Sequence, residues 1–443
     1  MDAGPTDAGP VDAGAVDAGA ADTGIVRRSP FGSNPSVGER GTDTRRRVLD
    51  AALEVFSEVA YSEARVEQIT EKAGCSRPAF YQYFSSKDDV FWALATELGA
   101  ELVTLAKQLD TVTPDKPGLV HLTGWIGSFM ALHEAWAPVF ASFPAASRSD
   151  HAKATSSGSI SDSTLGSLLR AFGVPRDAAS EQVIANLLAM LIQCSFYAEH
   201  TPAGIPRTPM GVGVAYVFHR VLAGPIDGVN VVHGRPSTRR RIKIIAPAEP
   251  TPSPALRSRG EQTRRRLLEA GATVLPARGY HDARVDDIVS AVGVSHGTFY
   301  RYFESKDDFF RVLAEEASTR LIQLVDRLDL DAPADEQRAW LSDWFDAYEA
   351  DGGVISTWED MQTNPELRAF SQSVAAAVFT RLEQRLDRRD FGEAQTDAAM
   401  LMALLERAPY SVFALGLGSR DEGIDATVTV LRRGFLGITD PPA

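Results

Sequence analysis

The chain has 443 residues, of which 44% are hydrophobic and 23% are charged, and its formal net charge is −14. This length predicts two to four domains, and the hydrophobic share is sufficient for several cores. The acidity argues against a protein that coats nucleic acid over its whole surface. It does not exclude a local DNA-binding face, because such a face depends on where the cations cluster.

Cysteine content and hydropathy indicate the class of protein. Cys75 and Cys194 are the only cysteines, too few for a disulfide framework or a metal site, so the cytoplasm is the expected compartment. No basic segment followed by an apolar one opens the chain, so we expect no signal peptide. The apolar run VIANLLAMLIQCSFYA contains Asn186 and Gln193, which predicts a buried helix rather than a membrane span. No nucleophile–base set, metal cluster or phosphate loop is present in the sequence, so we expect no enzyme, cofactor or metal.

Residues 1–38 begin with the five-residue repeats DAGPT, DAGPV, DAGAV and DAGAA. These are small and acidic and offer no side chain for a core. The segment is therefore predicted to be a disordered, low-complexity tail.

A much larger repeat organises the rest of the chain. Gly41 aligns with Gly260 and Glu97 with Glu316, without a gap, at an offset of 316 − 97 = 219 residues. Self-similarity over such a length indicates two copies of one structural unit. Between them lies a Pro- and Arg-rich stretch typical of a linker. The predicted organisation is a tail (1–38), a first head (39–98), a first body (99–224), a linker (225–258), a second head (259–317) and a second body (318–440).

The first copy begins with an amphipathic helix. Leu49, Ala52, Leu53 and Phe56 stand at i, i+3, i+4 and i+7, which predicts one apolar face. Thr44 is expected to cap this helix.

A second and a third short helix are predicted next. Val66, Ile69 and Ala73 have the spacing of an inner helical face, and Gly74 can adopt the left-handed conformation that ends a helix. Ser76 is placed to cap the third helix. Two short helices separated by a glycine turn predict a helix-turn-helix.

The third helix has an inner and an outer face. Phe80 and Phe84 are four residues apart and are predicted to face the core. The residues left on the outer face are Arg77, Pro78, Tyr81 and Gln82.

The start of a fourth helix carries an unusual cation. Ser86 and Asp89 have the spacing of a capping box, and the second copy repeats it. Lys87 and Lys306 follow the cap directly, where a cation opposes the helix dipole. An anion docked at the helix start, such as a DNA phosphate, would explain the lysine.

Both copies resemble the TetR family of bacterial transcriptional regulators. The resemblance rests on RRRVLDAALEVFSEVAY…RVEQITEKAGCSRPAFYQYFSSKDDVF and on RRRLLEAGATVLPARGYHDARVDDIVSAVGVSHGTFYRYFESKDDFF. It implies an all-α fold of two tandem units, each with a three-helix DNA-binding head and a helical body for ligand binding and dimerisation. It also implies a double-stranded DNA operator and a repressor that a small apolar ligand releases.

The resemblance implies roles for single residues. In the family the third helix enters the major groove, where its first turn reads base edges and a following Tyr and Lys hold phosphates. Arg45 and Arg264 precede the motif, and for them phosphate contact and a solvated face both stay open. Arg65 and Arg284 stand where the family commonly has a phosphate-binding Thr. The implied base-reading turns contain Arg77, Pro78, Gln82, His296, Gly297, Thr298 and Arg301, and the implied phosphate contacts are Tyr81, Tyr83, Lys87, Tyr300, Tyr302 and Lys306.

The sequence also departs from the family pattern. Ala79 replaces a common Thr, and the first helix lacks a glycine stop at Ala60, whereas the second copy keeps Gly279. Pro276 and Gly271 are expected to loosen the first helix of the second copy. A helical scaffold in which one or both heads no longer bind DNA is therefore the alternative function.

The bodies are rich in aromatic residues at helical spacing. Such residues are first of all core, and they also suit a pocket for a small apolar ligand. For His133 a structural role is expected, because no second ligand stands at metal spacing. The candidate pocket residues are Trp125, Phe129, His133, Trp136, Phe196, Trp340, Trp344, Tyr348, Trp358 and Met361.

The last two helices of each body resemble the dimerisation pair of the family. They are predicted at Gln182–His200 with Val212–Leu222, and at Glu393–Leu417 with Ile424–Leu436. The linker is long enough for the two bodies of one chain to pair with each other. We therefore expect a pseudo-dimer within one chain, with a further homodimer of chains left open. Because the two third helices differ, an asymmetric operator is expected.

Overall fold

The structure, a computed structural model, describes residues 39–147, 158–200, 205–226, 258–356, 365–386 and 394–438. Within these ranges the chain forms α-helices, with no strand. The fold is therefore all-α, as predicted. The predicted tail, most of the predicted linker and two pocket candidates, Trp358 and Met361, lie outside the described residues.

The first unit consists of a head and a body. Three helices form the head, and a long fourth helix leads from it into the body. In chain order the helices are α1 (Glu39–Glu58), α2 (Val66–Lys72), α3 (Arg77–Tyr83), α4 (Lys87–Lys107), α5 (Lys116–Ala135), α6 (Ala137–Ala146), α7 (Gly158–Phe172), α8 (Ala178–His200) and α9 (Arg207–Leu222).

The second unit repeats the head and varies the body. Its helices are α10 (Ser258–Asp282), α11 (Val285–Val292), α12 (His296–Phe299), α13 (Lys306–Arg327), α14 (Ala334–Ser356), α15 (Pro365–Leu386), α16 (Ala394–Phe413) and α17 (Arg420–Thr429), and α17 continues as a π-helical turn (Val430–Phe435).

Each head has a core of its own, whereas the two bodies share one. In the first head, Phe80 and Phe84 are buried among residues of α1, α2 and α4. The second head buries Phe299 and Phe303 in the same way. A single hydrophobic core extends through both bodies. The two heads are therefore carried on one common base, and α6 and α15 of the bodies also contribute residues to the cores of the first and the second head.

The helix ends differ from the prediction at two places. Thr44 does not cap α1, because that helix starts at Glu39, and its hydroxyl instead accepts a hydrogen bond from Arg47 Nη2 at 3.3 Å. α1 ends at Glu58 without a glycine, whereas α10 continues through Pro276 and Gly279 to Asp282. A glycine permits a helix to end but does not force it, so tertiary contacts set these ends.

Gly271 was expected to loosen α10, and the structure shows that it instead makes room for a ring. A Cβ added to Gly271 would lie 2.4 Å from two carbons of the Phe309 ring. The equivalent residues of the first head are Ala52 and Val90, both buried. The second head thus combines a smaller residue with a larger one and keeps its core filled.

Four helices form the contact between the two bodies. α8 packs against α16 and α17, and α9 packs against α16 and the π-helical turn. These helices overlap the segments that resemble the family's dimerisation pair, but their bounds differ from the prediction. α8, α9 and α17 begin a few residues earlier, and α16 ends at Phe413 rather than at Leu417. Glu393 lies outside the described residues. Part of α8, Ala178–Glu199, is long and apolar enough to cross a membrane by length and composition, and 56% of its most apolar window is buried. In this structure its apolar faces are used by the pairing of the bodies.

Candidate nucleic-acid interface

The turn before the third helix is built alike in both heads. Gly74 and Gly293 have φ values of +60° and +73°, the left-handed conformation that glycine adopts without strain. Ser76 Oγ then accepts a hydrogen bond from the amide of Ala79 at 3.3 Å, and Ser295 caps α12 in the same way. The predicted helix-turn-helix geometry is present in both heads.

Each head exposes a tyrosine at its third helix: Tyr81 lies in α3, and Tyr300 directly follows α12, which is a single turn. Tyr81 is 51% exposed and Tyr300 is 54% exposed. Each ring packs edge-on against the preceding phenylalanine, Phe80 or Phe299, with ring centroids 5.3 Å apart. The buried Phe therefore fixes the base of an exposed phenol. Beside these tyrosines the exposed residues are Arg77, Pro78, Gln82, His296, Gly297 and Arg301.

The first residue of the third helix has an acidic partner in both heads. The guanidinium of Arg77 forms an ion pair with Glu67, and the imidazole of His296 contacts Asp286. Glu67 and Asp286 are equivalent positions in the first turns of α2 and α11. Both base-reading candidates are thus oriented by a carboxylate. These acids were not among the predicted site residues, although an acid occurs at this position in both copies.

Lys87 binds backbone carbonyl groups of its own head. Its Nζ lies 2.6 Å from the carbonyl oxygen of Tyr61 and 3.1 Å from that of Ala64, and it stands 4.7 Å from the centre of the Tyr61 ring. The lysine thus ties the start of α4 to the segment between α1 and α2. These carbonyls compensate the cation at the helix start without any DNA.

Lys306 repeats the arrangement in the second head. Its Nζ lies 3.0 Å from the carbonyl oxygen of Tyr280, 3.2 Å from that of Ala283, and 5.0 Å from the centre of the Tyr280 ring. The lysines are therefore elements of the scaffold, and their contact with phosphate stays a prediction.

The two aspartates after each lysine also hold the head together. The phenol of Tyr61 donates to Asp88, and Tyr280 donates to Asp307 Oδ1 at 2.6 Å. Burial, and then the hydrogen bond to the carboxylate, raise the pKa of Tyr61 well above its usual range. Each head is therefore closed by a phenol–carboxylate hydrogen bond to the start of its fourth helix, from the segment after α1 in the first head and from the last turns of α10 in the second.

The predicted capping box is only half formed. Ser86 Oγ accepts from the amide of Asp89 at 3.2 Å, as expected. The Asp89 carboxylate, however, accepts from the amide of Ser85 at 2.9 Å, one residue before the cap. Asp308 accepts in the same way from the amide of Glu304 at 2.9 Å. Because Asp is shorter than the usual Glu at this position, its carboxylate forms a different local contact.

Arg45 and Arg264 are held against their own heads. The Arg45 guanidinium stands 5.5 Å from the centre of the Phe84 ring and 3.8 Å from Glu97. Arg264 lies 6.0 Å from the Phe303 ring and 3.4 Å from the equivalent carboxylate. Both arginines therefore join the first helix of a head to the fourth, and their phosphate contact stays a prediction.

The other predicted residues occupy the edges of this face. Arg65 and Arg284 directly precede α2 and α11, and both are exposed. Tyr83 and Tyr302 are half-buried. Thr298 is also half-buried, with its hydroxyl 3.0 Å from the capping Ser295.

A family model described as bacterial regulatory proteins of the tetR family matches residues 48–94 and 267–313. The chain carries two TetR-family heads in tandem. The matched ranges begin inside α1 and α10 and end inside α4 and α13, so they contain the whole helix-turn-helix of each head.

Several curated proteins are similar to part of this chain. YdgC of Bacillus subtilis, named as a helix-turn-helix transcriptional regulator, is 38% identical over 76 residues, 17% of this chain and 39% of its own length. The transcriptional activator FasR of Mycolicibacterium smegmatis is 35% identical over 89 residues, 20% and 41% of the two chains. The transcriptional repressor AcnR of Corynebacterium glutamicum is 32% identical over 73 residues, 16% and 39%. The chain thus spans about two fifths of the length of these relatives.

The body of the second unit contains a small cavity. Its volume is about 30 Å³, the size of a water molecule rather than of a ligand. Two predicted pocket residues, Trp344 and Tyr348, line it together with aliphatic side chains, and Glu406 provides a carboxylate. Within the described residues no group of three His, Cys, Asp or Glu side chains is placed to hold a metal ion.

Other predicted pocket residues are fixed in the core. The indole N–H groups of Trp125 and Trp340 donate to the carbonyl oxygens of Leu105 and Leu324 at 2.8 Å. Trp136 donates to Glu101 at 3.2 Å. These contacts indicate packing roles, and Phe129 is likewise buried while Phe196 is half-buried.

The predicted structural role of His133 agrees with its surroundings. Its Nδ1 lies 3.0 Å from Glu199, and its ring stacks on Phe140 with centroids 4.4 Å apart. The half-buried Cys75 has a pKa raised by burial, which disfavours the reactive thiolate and agrees with a packing role.

Proposed function

We propose that the chain is a cytoplasmic transcriptional regulator, not an enzyme, and that it binds a double-stranded DNA operator through both heads. The observation that carries the proposal is the repeated outer face, in which Tyr81 and Tyr300 project from identically buried phenylalanines. An exposed phenol whose ring packs on a buried phenylalanine is suited to donate to a phosphate oxygen, while the neighbouring polar side chains are suited to base edges. The other residues for which a DNA contact was predicted from the sequence, and the predicted domain boundaries, are part of the same proposal.

One chain is proposed to act as a pseudo-dimer. Support comes from the shared core of the two bodies, which places two heads on one base. The faces of these heads are not equivalent, because Arg77 and Gln82 of the first head stand where the second has His296 and Arg301. Arg favours guanine and Gln favours adenine, so the two heads are expected to read different half-sites in an asymmetric operator.

Release of the operator by a small apolar ligand completes the proposal, with repression as the regulatory outcome. The support is the cavity of the second body, whose aromatic and aliphatic walls suit an apolar molecule. Because the cavity is small, side chains such as Tyr348 must move to admit a ligand. The relatives include one protein named as an activator and one named as a repressor. A reporter gene fused to the bound promoter therefore has to establish whether this protein represses or activates transcription.

The test is a gel-shift titration with DNA upstream of the chain's own gene and with genomic fragments. Tyr81→Phe with Tyr300→Phe removes both exposed hydroxyls and leaves the rings packed. We expect roughly a tenfold weaker affinity for each lost phosphate contact. Val120→Ala is the matched control, because Val120 is 63% exposed and lies in the first body, away from the heads. Failure of the unchanged protein to shift any fragment would overturn the proposal in favour of a scaffold.

A further inference from the structure

A buried amide lies at the centre of the contact between the two bodies. Asn186, in α8, is fully buried. Its Nδ2 donates to Thr427 Oγ1 at 3.1 Å and lies 3.4 Å from the carbonyl oxygen of Gly423, both in α17. Its Oδ1 accepts from its own helix neighbour Gln182 at 3.1 Å and lies 3.3 Å from the hydroxyl of Ser411 in α16, which also donates to the carbonyl oxygen of Ala408 at 2.7 Å. The hydrogen-bonding capacity of the amide is therefore used, and three of the partners belong to the second body.

The opposite half of the contact has a methionine, Met400, at the position equivalent to Asn186. α8 of the first body corresponds to α16 of the second, and α9 corresponds to α17. The contact equivalent to that between α8 and α17 is therefore the contact between α16 and α9. There Met400 of α16 lies against Gly213 of α9, where an added Cβ would come within 3.0 Å of the methionine Cε. Four residues after Gly213 stands Val217, whereas four residues after Gly423 stands Thr427. At these positions the two halves share their shape, whereas Asn186 and Thr427 are polar and Met400 and Val217 are not.

This difference penalises pairs of like bodies. A pair of first bodies contains neither Thr427 nor Ser411, and the position that faces the amide would be occupied by Val217. Asn186 would then be buried without its side-chain partners from the second body, which is costly in a core. Because a symmetric pair contains each contact twice, the cost would arise twice.

A pair of second bodies would lose other partners. The phenol of Tyr197 donates to Glu406, and Arg407 donates to Gln193. Tyr197 and Gln193 both lie in α8 of the first body, and a pair of second bodies contains no α8. The half-buried carboxylate and guanidinium would each lose a partner from across the contact.

We propose that the Asn186 network is a specificity device that makes the first body bind the second body and not a copy of itself. Such a buried polar group selects its partner because, in a complex with a wrong partner, its hydrogen-bonding atoms would be buried without partners. The occupant of this surface is therefore the second body of this protein. The inference concerns the pairing of the bodies and does not depend on DNA binding.

The experiment cuts the covalent connection between the two units and then measures the amounts of like and unlike pairs. A protease site is inserted into the full chain between residues 227 and 257, the purified protein is cleaved, and native mass spectrometry measures the pairing after incubation. We expect the pair of unlike halves to dominate, with like pairs at least about tenfold below the statistical share. Redistribution of the unchanged protein to a statistical mixture would overturn the proposal.

Two variants test the assigned residues. Asn186→Leu should raise the pair of first halves about tenfold, because the group that penalises it is gone. Val217→Thr should also raise the amount of the pair of first halves, because in that pair the new hydroxyl can bind the amide of Asn186. Ser195→Ala is the matched control, since that buried hydroxyl in α8 donates only to Leu191 of the same helix in its described hydrogen bond.

The outcomes separate specificity from folding. Circular dichroism before cleavage establishes that each variant is folded, and Val217→Thr carries the test if Asn186→Leu is not. Pairing in both variants that is indistinguishable from the Ser195→Ala control would contradict the role of the network.

Discussion

The phenol of Tyr197 in the first body donates a hydrogen bond to the carboxylate of Glu406 in the second. Glu406 also lines the small cavity beside Trp344 and Tyr348. The wall of the cavity and the contact between the bodies therefore share one side chain. A ligand that drew the carboxylate into the cavity would act directly on the pairing of the bodies.

Tyr197→Phe tests how much this hydrogen bond contributes. The ring stays and the hydroxyl is lost, so a carboxylate at a half-buried site loses a donor. We expect the free energy of unfolding to fall by about 2 kcal/mol, since hydrogen bonds to charged groups contribute more than neutral ones. Urea denaturation measures the change. An unchanged midpoint, with unchanged slope, would show that the hydrogen bond does not stabilise the fold.

Alkaline pH is expected to destabilise the protein through two buried phenols. Burial, followed by the neighbouring carboxylates, raises the pKa of Tyr61 and of Tyr197 in the folded state. In the unfolded chain both ionise near the ordinary value of about 10. The unfolded state thus binds fewer protons above that pH, and the stability these phenols contribute is present below pH 10 and lost as the pH rises further.

The measurement combines absorbance at 295 nm with denaturation at pH 9 and pH 11. Native protein should titrate fewer tyrosinates than protein in denaturant. Tyr61→Phe and Tyr197→Phe should each reduce the loss of stability between the two pH values. Full ionisation of the native protein near pH 10 would contradict the buried phenols.

Gly271→Ala is expected to destabilise the second head by about 1–3 kcal/mol, because the new methyl group would press on the Phe309 ring. The double substitution Gly271→Ala with Phe309→Val recreates the residues of the first head, Ala52 and Val90. It should recover most of the loss, and thermal denaturation of the three proteins measures both steps. Equal stability of the single variant and the unchanged protein would show that the ring is free to move aside.

Lys87→Met distinguishes a role of the lysine in the stability of the head from a role in DNA binding. The substitution leaves the carbonyl groups of Tyr61 and Ala64 without the ammonium donor, so we expect a loss of stability of about 1–3 kcal/mol even in the absence of DNA. Denaturation followed by circular dichroism measures it. If Lys87→Met weakened DNA binding without any change in stability, the lysine would serve the phosphate alone.

Much of the heads could be predicted from neighbouring residues. The caps at Ser76 and Ser295 and the left-handed glycines depend on a few consecutive residues, so their pattern is legible in the chain. The same local view failed at Thr44, where the helix simply starts earlier. It also assigned Lys87 to phosphate alone, because the carbonyls that it binds lie 23 and 26 residues away.

The order of residues was thus sufficient for the all-helical class, the two tandem heads and the residues on their outer faces, because helical period, caps and turns arise from short-range sterics and hydrogen bonds. The pairing of Arg77 with Glu67, the exchange of size between Gly271 and Phe309, and the amide network at Asn186 required the folded chain. Asn186 and Thr427 are 241 residues apart. Their contact depends on how whole helices pack, which no local pattern specifies.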